Sequence, residues 1–297
     1  MNTISFLFAH NKSDKWSTPL SIVDEFKRRG WKTSIYSLID KDQNYTDSNL
    51  SQLFKTNPDI IMHMDWGRHT SPILSQLRPT GAYCVMESGD DPQQFYENAV
   101  KAPYFDLVLS PDASCAGRYR GDGFNAFWSP HFADTQIYKP LKKKPKYMGV
   151  CSRGMNRYAP IIDSMARNLP LYVINKNGWV GKEHNEFLNS GRIVLQQSKH
   201  KEITRRIFEG MAAGRMVLTD RLGPQTRINE LFVENRDIVY YNNEEDCIEK
   251  LLYYCKNDEE REHIAKNGRE KVLANHTTAH RVDFIIAMWQ LRKNPKE

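Results

Sequence analysis

At 297 residues the chain is longer than a single hydrophobic core usually grows, and two domains are expected. Its 40% apolar, 26% charged and 11% aromatic content excludes a disordered, collagen-like or low-complexity polymer. The 42 Lys and Arg against 36 Asp and Glu leave a charge of +6, which favours anionic ligands without choosing among nucleotide, nucleic acid and membrane surface. No stretch approaches the roughly 18 uncharged apolar residues of a spanning helix, and the run Ile4 to Ala9 is too short for a signal core. Cys84, Cys115, Cys151, Cys247 and Cys255 have no metal-ligand spacing. Reduced thiols in a cytoplasmic compartment are expected, with neither disulfide nor bound metal.

Strands and helices alternate through the first half. Ile4 to Ala9 reads as a strand, and Pro19 to Arg29 as a helix in which Leu20, Val23 and Phe26 recur on one face before Gly30 stops it. Strands follow at 33–37, 59–64, 82–86, 107–110 and 126–128, separated by helices at 49–55, 71–77, 92–100 and 113–119. Residues 138–147, YKPLKKKPKY, hold two prolines and five lysines and read as an exposed linker. A second series places strands at 148–152, 171–175, 193–195, 216–219 and 237–240, with helices at 159–166, 183–188, 202–213 and 225–232. Three more helices close the chain, the last at 278–292 with Val282, Ile285, Ile286 and Trp289 on one face.

This order predicts an α/β chain of two doubly wound parallel-sheet domains. They are placed at 1–140 and 147–276, with a linker at 141–146 and a C-terminal helix over 277–297 that packs back towards the first domain. Open α/β sheets bind ligands at the carboxyl ends of their strands, so a cleft between the domains is the expected site.

The segment 201–221, KEITRRIFEGMAAGRMVLTDR, is the most informative. Ile207 and Met211 face inward on a helix that Gly214 stops, which leaves Arg205, Arg206 and Glu209 unexplained by packing. A diphosphate at the helix N-terminus would meet unpaired backbone N–H groups together with Arg205 or Arg206. Glu209, one turn on, would accept hydrogen bonds from sugar hydroxyls. The same spacing suits an ordinary i,i+4 pair, Arg205 with Glu209, on a solvated face, worth about 0.3–0.5 kcal/mol.

The string RRIFEGMAAGRMVLTDR resembles the signature helix of the GT-B glycosyltransferases, in particular the family-4-like group and its spore-maturation-protein branch. The run Ile228 to Arg281, closing on His276-Thr277-Thr278-Ala279-His280-Arg281, resembles the rest of that branch's C-terminal module. The likeness covers roughly Tyr147 to Arg281; over Met1 to Tyr138 it is one of architecture. It implies a GT-B fold of two Rossmann-like domains and a metal-independent, hexosyl-type transfer from a nucleotide-sugar, UDP-linked by expectation, with Glu209 holding the ribose. The family carries a first glutamate with seven residues between it and the second. This chain has Lys201 there, and Glu202 stands one position off, so the family's usual retaining outcome is not implied.

Two more strand ends resemble diphosphate and base contacts of that family: Arg153 after the strand at 148–152, and Lys176 with Gly178 at the end of 171–175. Trp179 is a candidate for stacking on base or sugar, although each of these segments also reads as a surface turn. In the first domain Glu87, Asp90 and Asp91 crowd three carboxylates into five residues, which raises the pKa of at least one and suits a general base. Asp91 before Pro92 reads as a helix cap, which leaves Asp90 and Glu87 as catalytic candidates alongside His131. His10 with Trp16, and Asp65 with Trp66, sit at strand ends on the side where the resembled enzymes take acceptors.

The reading is a glycosyltransferase that moves a sugar from a nucleotide-diphosphate sugar to an acceptor hydroxyl on a glycan or small molecule, with no cofactor. Its alternatives are a hydroxymethylated DNA base as acceptor, and a non-catalytic nucleotide-sugar binder or epimerase on the same scaffold.

Overall fold

The computed structural model describes residues 1–8, 17–38, 50–65, 74–153, 159–169, 172–177 and 179–294. The chain divides into two compact units, Met1–Pro130 with Ala279–Glu297, and His131–Thr278.

The first unit holds β1 (Thr3–Phe8), β2 (Lys32–Ser37), β3 (Ile60–Asp65), β4 (Tyr83–Ser88), β5 (Leu107–Ser110) and β6 (Ala126–Trp128). They form one sheet in the order β2-β1-β3-β4-β5-β6, and the pairs are parallel. A parallel sheet covered on both faces asks for continuous apolar runs, and β1 accordingly buries every residue from Ile4 to Phe8. Two expected helices are altered. Residues 92–94 are turns ahead of a short helix, Phe95–Ala99. The described part of 71–77 leads into a 3-10 helix, Ser75–Thr80, containing Pro79, which has no N–H to continue an α-helix.

The helix Thr278–Lys293 completes this unit from the far end of the sequence. Trp289 meets Trp31 edge-on with ring centroids 5.1 Å apart, and Phe284 meets Phe127 at 5.2 Å. Arg292 pairs with Asp106 at 2.9 Å and Lys293 with Asp59 at 3.1 Å.

The second unit holds β7 (Tyr147–Arg153), β8 (Val173–Asn177), β9 (Gly191–Gln196), β10 (Met216–Asp220) and β11 (Val239–Tyr241) in a parallel sheet ordered β11-β10-β9-β7-β8. The lysine-rich stretch before β7 is tied to the helix Gly181–Asn189. The Lys139 and Leu141 N–H groups donate to Asn185 and Asn189 side chains at 3.2 and 2.9 Å. Its lysine side chains stay exposed.

Both sheets grow outward in two directions from their first strand, so their switch points lie between β1 and β3 and between β7 and β9. Doubly wound sheets bind ligands at the carboxyl ends beside such a point. In the second unit β9 leads there into the helix Arg205–Ala212. That helix starts later than the pattern predicts because Thr204 is an extended N-cap residue, at φ −99° and ψ 150°. It lies close to the sheet: a Cβ on Gly210 would stand 3.1 Å from the Val194 and Val217 side chains. Gly214, at φ +74°, ends it. The expected helix 225–232 is split by Arg227 at φ +55° into Pro224–Thr226 and Ile228–Leu231. Among the described residues no helix is long and apolar enough to cross a membrane.

Truncating Trp289 removes a buried ring from the joint between the last helix and the first unit. Trp289→Ala is expected to cost about 3–5 kcal/mol by urea denaturation; a loss below about 1 kcal/mol would show that the helix is held by its ion pairs instead.

Candidate functional site

Glu209 sits in the second turn of the Arg205–Ala212 helix and is 5% exposed. Its Oε1 lies 3.0 Å from Arg205 Nε, and its Oε2 lies 3.5 Å from His184 Nδ1. The i,i+4 pairing read from the sequence therefore exists, but on a buried face rather than a solvated one. The Arg205 contact is an ion contact and not an aligned hydrogen bond, because none of its guanidinium nitrogens finds a hydrogen-bond partner among the described residues. The guanidinium also lies over the Phe132 ring, 5.2 Å from its centroid.

His184 belongs to the neighbouring helix Gly181–Asn189 and is 4% exposed. Tyr138 Oη lies 3.0 Å from its Nδ1, and the two rings meet edge-on. Burial pushes the imidazole pKa below its ordinary value; Glu209 pulls it back up, and Arg206 and Arg205 push it down again. A neutral ring with its proton on Nδ1 is the tautomer that avoids setting a lone pair against the Glu209 carboxylate. His184 Nε2 and Thr204 Oγ1 are both buried without a hydrogen-bond partner among the described residues. Buried polar groups are almost always satisfied. A buried carboxylate touching two side chains with unsatisfied nitrogens, on a helix whose N-cap Thr204 lies beside a switch point, makes this the candidate ligand site.

Lys201, where the resembled enzymes carry their first glutamate, has φ +57°. Its Nζ donates to Asp220 Oδ2 at 2.9 Å, and the same carboxylate accepts from Ser198 N–H at 2.8 Å and Ser198 Oγ at 2.7 Å. The loop after β9 is thus pinned to the end of β10 by a cation–carboxylate contact.

The remaining predicted residues are distributed as follows. Arg206 is half-buried on the same helix as Glu209. Arg153 closes β7, and exposed Lys176 lies near the end of the adjacent β8. Trp179 stacks on Phe187 at 5.8 Å, so one face of its indole is taken. Gly178, His10, Trp16 and Trp66 lie outside the described residues, and Asp65 closes β3. Glu87 closes in on the end of β4 and Asp90 follows in the turn, both half-buried in the first unit. His131 is half-buried and opens the second unit.

Asp91 does not cap a helix. Its buried carboxylate accepts from Ser88 Oγ at 2.6 Å, Ser110 Oγ at 2.7 Å and Asn98 Nδ2 at 3.1 Å, tying together β4, β5 and the short helix. Burial raises its pKa against those three hydrogen bonds. The closing HTTAHR motif is also structural in part. Ala133 N–H donates to His276 O at 3.0 Å and Thr278 N–H to Ala133 O at 3.1 Å. The His276 ring packs on Phe208 and Phe232. Arg281 donates from Nε and Nη2 to Pro130 O, with its pKa lowered to about 10 by burial while Glu87 pulls it up. Among the described residues no group of His, Cys, Asp and Glu is placed to hold a metal ion. His184, Tyr138, Thr204 and Asp220 are site residues that sequence reasoning missed.

Residues 141–287 match the family model described as glycosyl transferase-like. No curated protein matches the chain. Among solved structures, a sucrose-phosphate synthase from Thermosynechococcus elongatus superposes with a TM-score of 0.70 at 9% identity, covering 100% of both chains. A glycosyltransferase from Rickettsia africae gives 0.69 at 12% identity, covering 97% of this chain and 98% of that one. The Anabaena HepE protein in complex with UDP-glucose gives 0.68 at 12% identity, covering 97% and 100%. The fold is GT-B, and the match to the glycosyl transferase-like model is confined to residues 141–287.

His184 makes the stability of the second unit depend on pH. Its folded pKa lies below the ordinary 6.5, so its contribution is present above that value and lost as pH falls through the folded pKa. Urea denaturation between pH 7.5 and pH 5 is expected to show this loss in the wild-type chain and a smaller one in His184→Gln; equal losses would contradict it.

Proposed function

We propose that the protein is a glycosyltransferase that binds a nucleotide-diphosphate sugar on the unit His131–Thr278 and transfers its sugar to an acceptor hydroxyl. The observation that carries this reading is the buried Glu209 carboxylate in contact with Arg205 and His184, whose side chains keep unsatisfied nitrogens among the described residues. A carboxylate accepts hydrogen bonds only, and the vicinal hydroxyls of a ribose are two suitable donors. The Arg205 guanidinium, already against Glu209, has N–H groups left for a phosphate oxygen, and Thr204 Oγ1 with the helix N-terminal N–H groups supplies further donors. Negative charge grows on the departing nucleoside diphosphate in the transition state, and donors fixed around it stabilise that state more than the ground state.

In this reading Arg206, Arg153, Lys176 and Gly178 complete the diphosphate contacts. Glu87, Asp90 and His131 are the candidates for the base that takes the acceptor's proton, and His10, Trp16, Asp65 and Trp66 are the candidates for the acceptor side. The donor is UDP-linked, as in the HepE complex with UDP-glucose, the sugar is a hexose, and no metal is required. The spore-maturation-protein branch is the proposed position within the family. The five free thiols fit a reducing, cytoplasmic setting.

A thermal-shift series with UDP-, GDP-, ADP-, CMP- and dTDP-linked sugars is expected to single out one nucleotide. Slow release of that nucleoside diphosphate without acceptor should follow, with no change of sugar configuration in the unreacted donor. Glu209→Ala is expected to weaken donor binding about 10- to 100-fold by calorimetry, the loss of about 1.5–3 kcal/mol in charged hydrogen bonds. Unchanged affinity in that variant, or stabilisation by none of the nucleotides, would overturn the proposal.

A further inference from the structure

Glu209 is touched on both oxygens, and the two contacts differ in kind. Arg205 lies one turn earlier on the same helix, so its contact ties Glu209 to no other element. His184 comes from a different helix and is fixed from behind. Its ring is 4% exposed and edge-on to the Tyr138 ring at 5.5 Å and 84°, with Tyr138 Oη 3.0 Å from Nδ1. Tyr138 is itself 1% exposed, in the stretch whose backbone is hydrogen-bonded to Asn185 and Asn189 of the His184 helix. Tyr138 Oη and Glu209 Oε2 thus meet the same ring nitrogen, so Tyr138 fixes the orientation of the ring edge that Glu209 touches.

We infer that His184, backed by Tyr138, is a positioning residue that holds the Glu209 carboxylate in the rotamer that meets the donor's pentose. The inference rests on the donor reading above and adds to it the pair of side chains that pre-organises its central contact. Because burial keeps the imidazole neutral, it orients the carboxylate without neutralising the charge that a ligand's hydroxyls are to meet. A Glu fixed before binding spends less of the binding free energy on being ordered.

The experiment is a calorimetric comparison of UDP with 2′,3′-dideoxy-UDP on the wild-type chain, His184→Gln, Tyr138→Phe and Glu209→Ala, each checked for an unchanged unfolding profile without ligand. His184→Gln is expected to lose about tenfold in affinity for UDP and nothing for the dideoxy analogue, with Tyr138→Phe following the same pattern more weakly. The double variant His184→Gln/Glu209→Ala should bind UDP no worse than Glu209→Ala alone, since the histidine acts through the glutamate. Equal losses for both nucleotides in His184→Gln, or additive losses in the double variant, overturn the inference while the donor reading stands. Failure of the wild-type chain to bind either nucleotide overturns both.

Discussion

The candidate site in the second unit turns on the buried Glu209 carboxylate. Taking an ionised glutamate out of water is costly unless cations and hydrogen-bond donors replace the water. At Glu209 the replacement is uneven: Arg205 supplies charge but no aligned hydrogen bond, and His184 lies at 3.5 Å. Such a site is buried, yet it keeps polar groups unsatisfied among the described residues. The same economy does not hold at Asp91, whose carboxylate is filled by Ser88, Ser110 and Asn98 and has become a structural knot.

The position of that carboxylate follows from the sheet. Because β9 lies beside β7 at the switch point, its outgoing loop delivers the Arg205–Ala212 helix to the carboxyl end of the strands. Gly210 then sets the depth, since its missing side chain lets the helix rest against Val194 and Val217. Lys201 and Asp220 fix the loop that feeds it. The resembled enzymes use a carboxylate at the Lys201 position, and here a cation tied to β10 occupies it.

The strands were legible because a parallel sheet buried on both faces writes itself as unalternated apolar runs. The contact between Arg205 and Glu209 was legible from their spacing; its burial was not, since the side chains that cover it, Phe132, Tyr138 and His184, come from elsewhere in the chain. Tyr138 and His184 are 46 residues apart and leave no local trace. Asp91 was misread because Asp-Pro ahead of a polar run is a good cap signal, and the donors that redirect it arrive from positions 88, 98 and 110. Helix starts failed where a threonine or an arginine took a non-helical conformation, at Thr204 and Arg227.

The first unit is interrupted in sequence: Ala279–Glu297 belong to it, but the whole of the second unit intervenes. Trp31 is translated well before its partner Trp289, with the whole second unit between them. On the ribosome the second unit can therefore close before the first has this helix, and the surface around Trp31 stays uncovered until the helix emerges. Shortening the chain by its final helix would leave that surface permanently bare, exposing the nascent protein to capture by chaperones rather than merely trimming a tail.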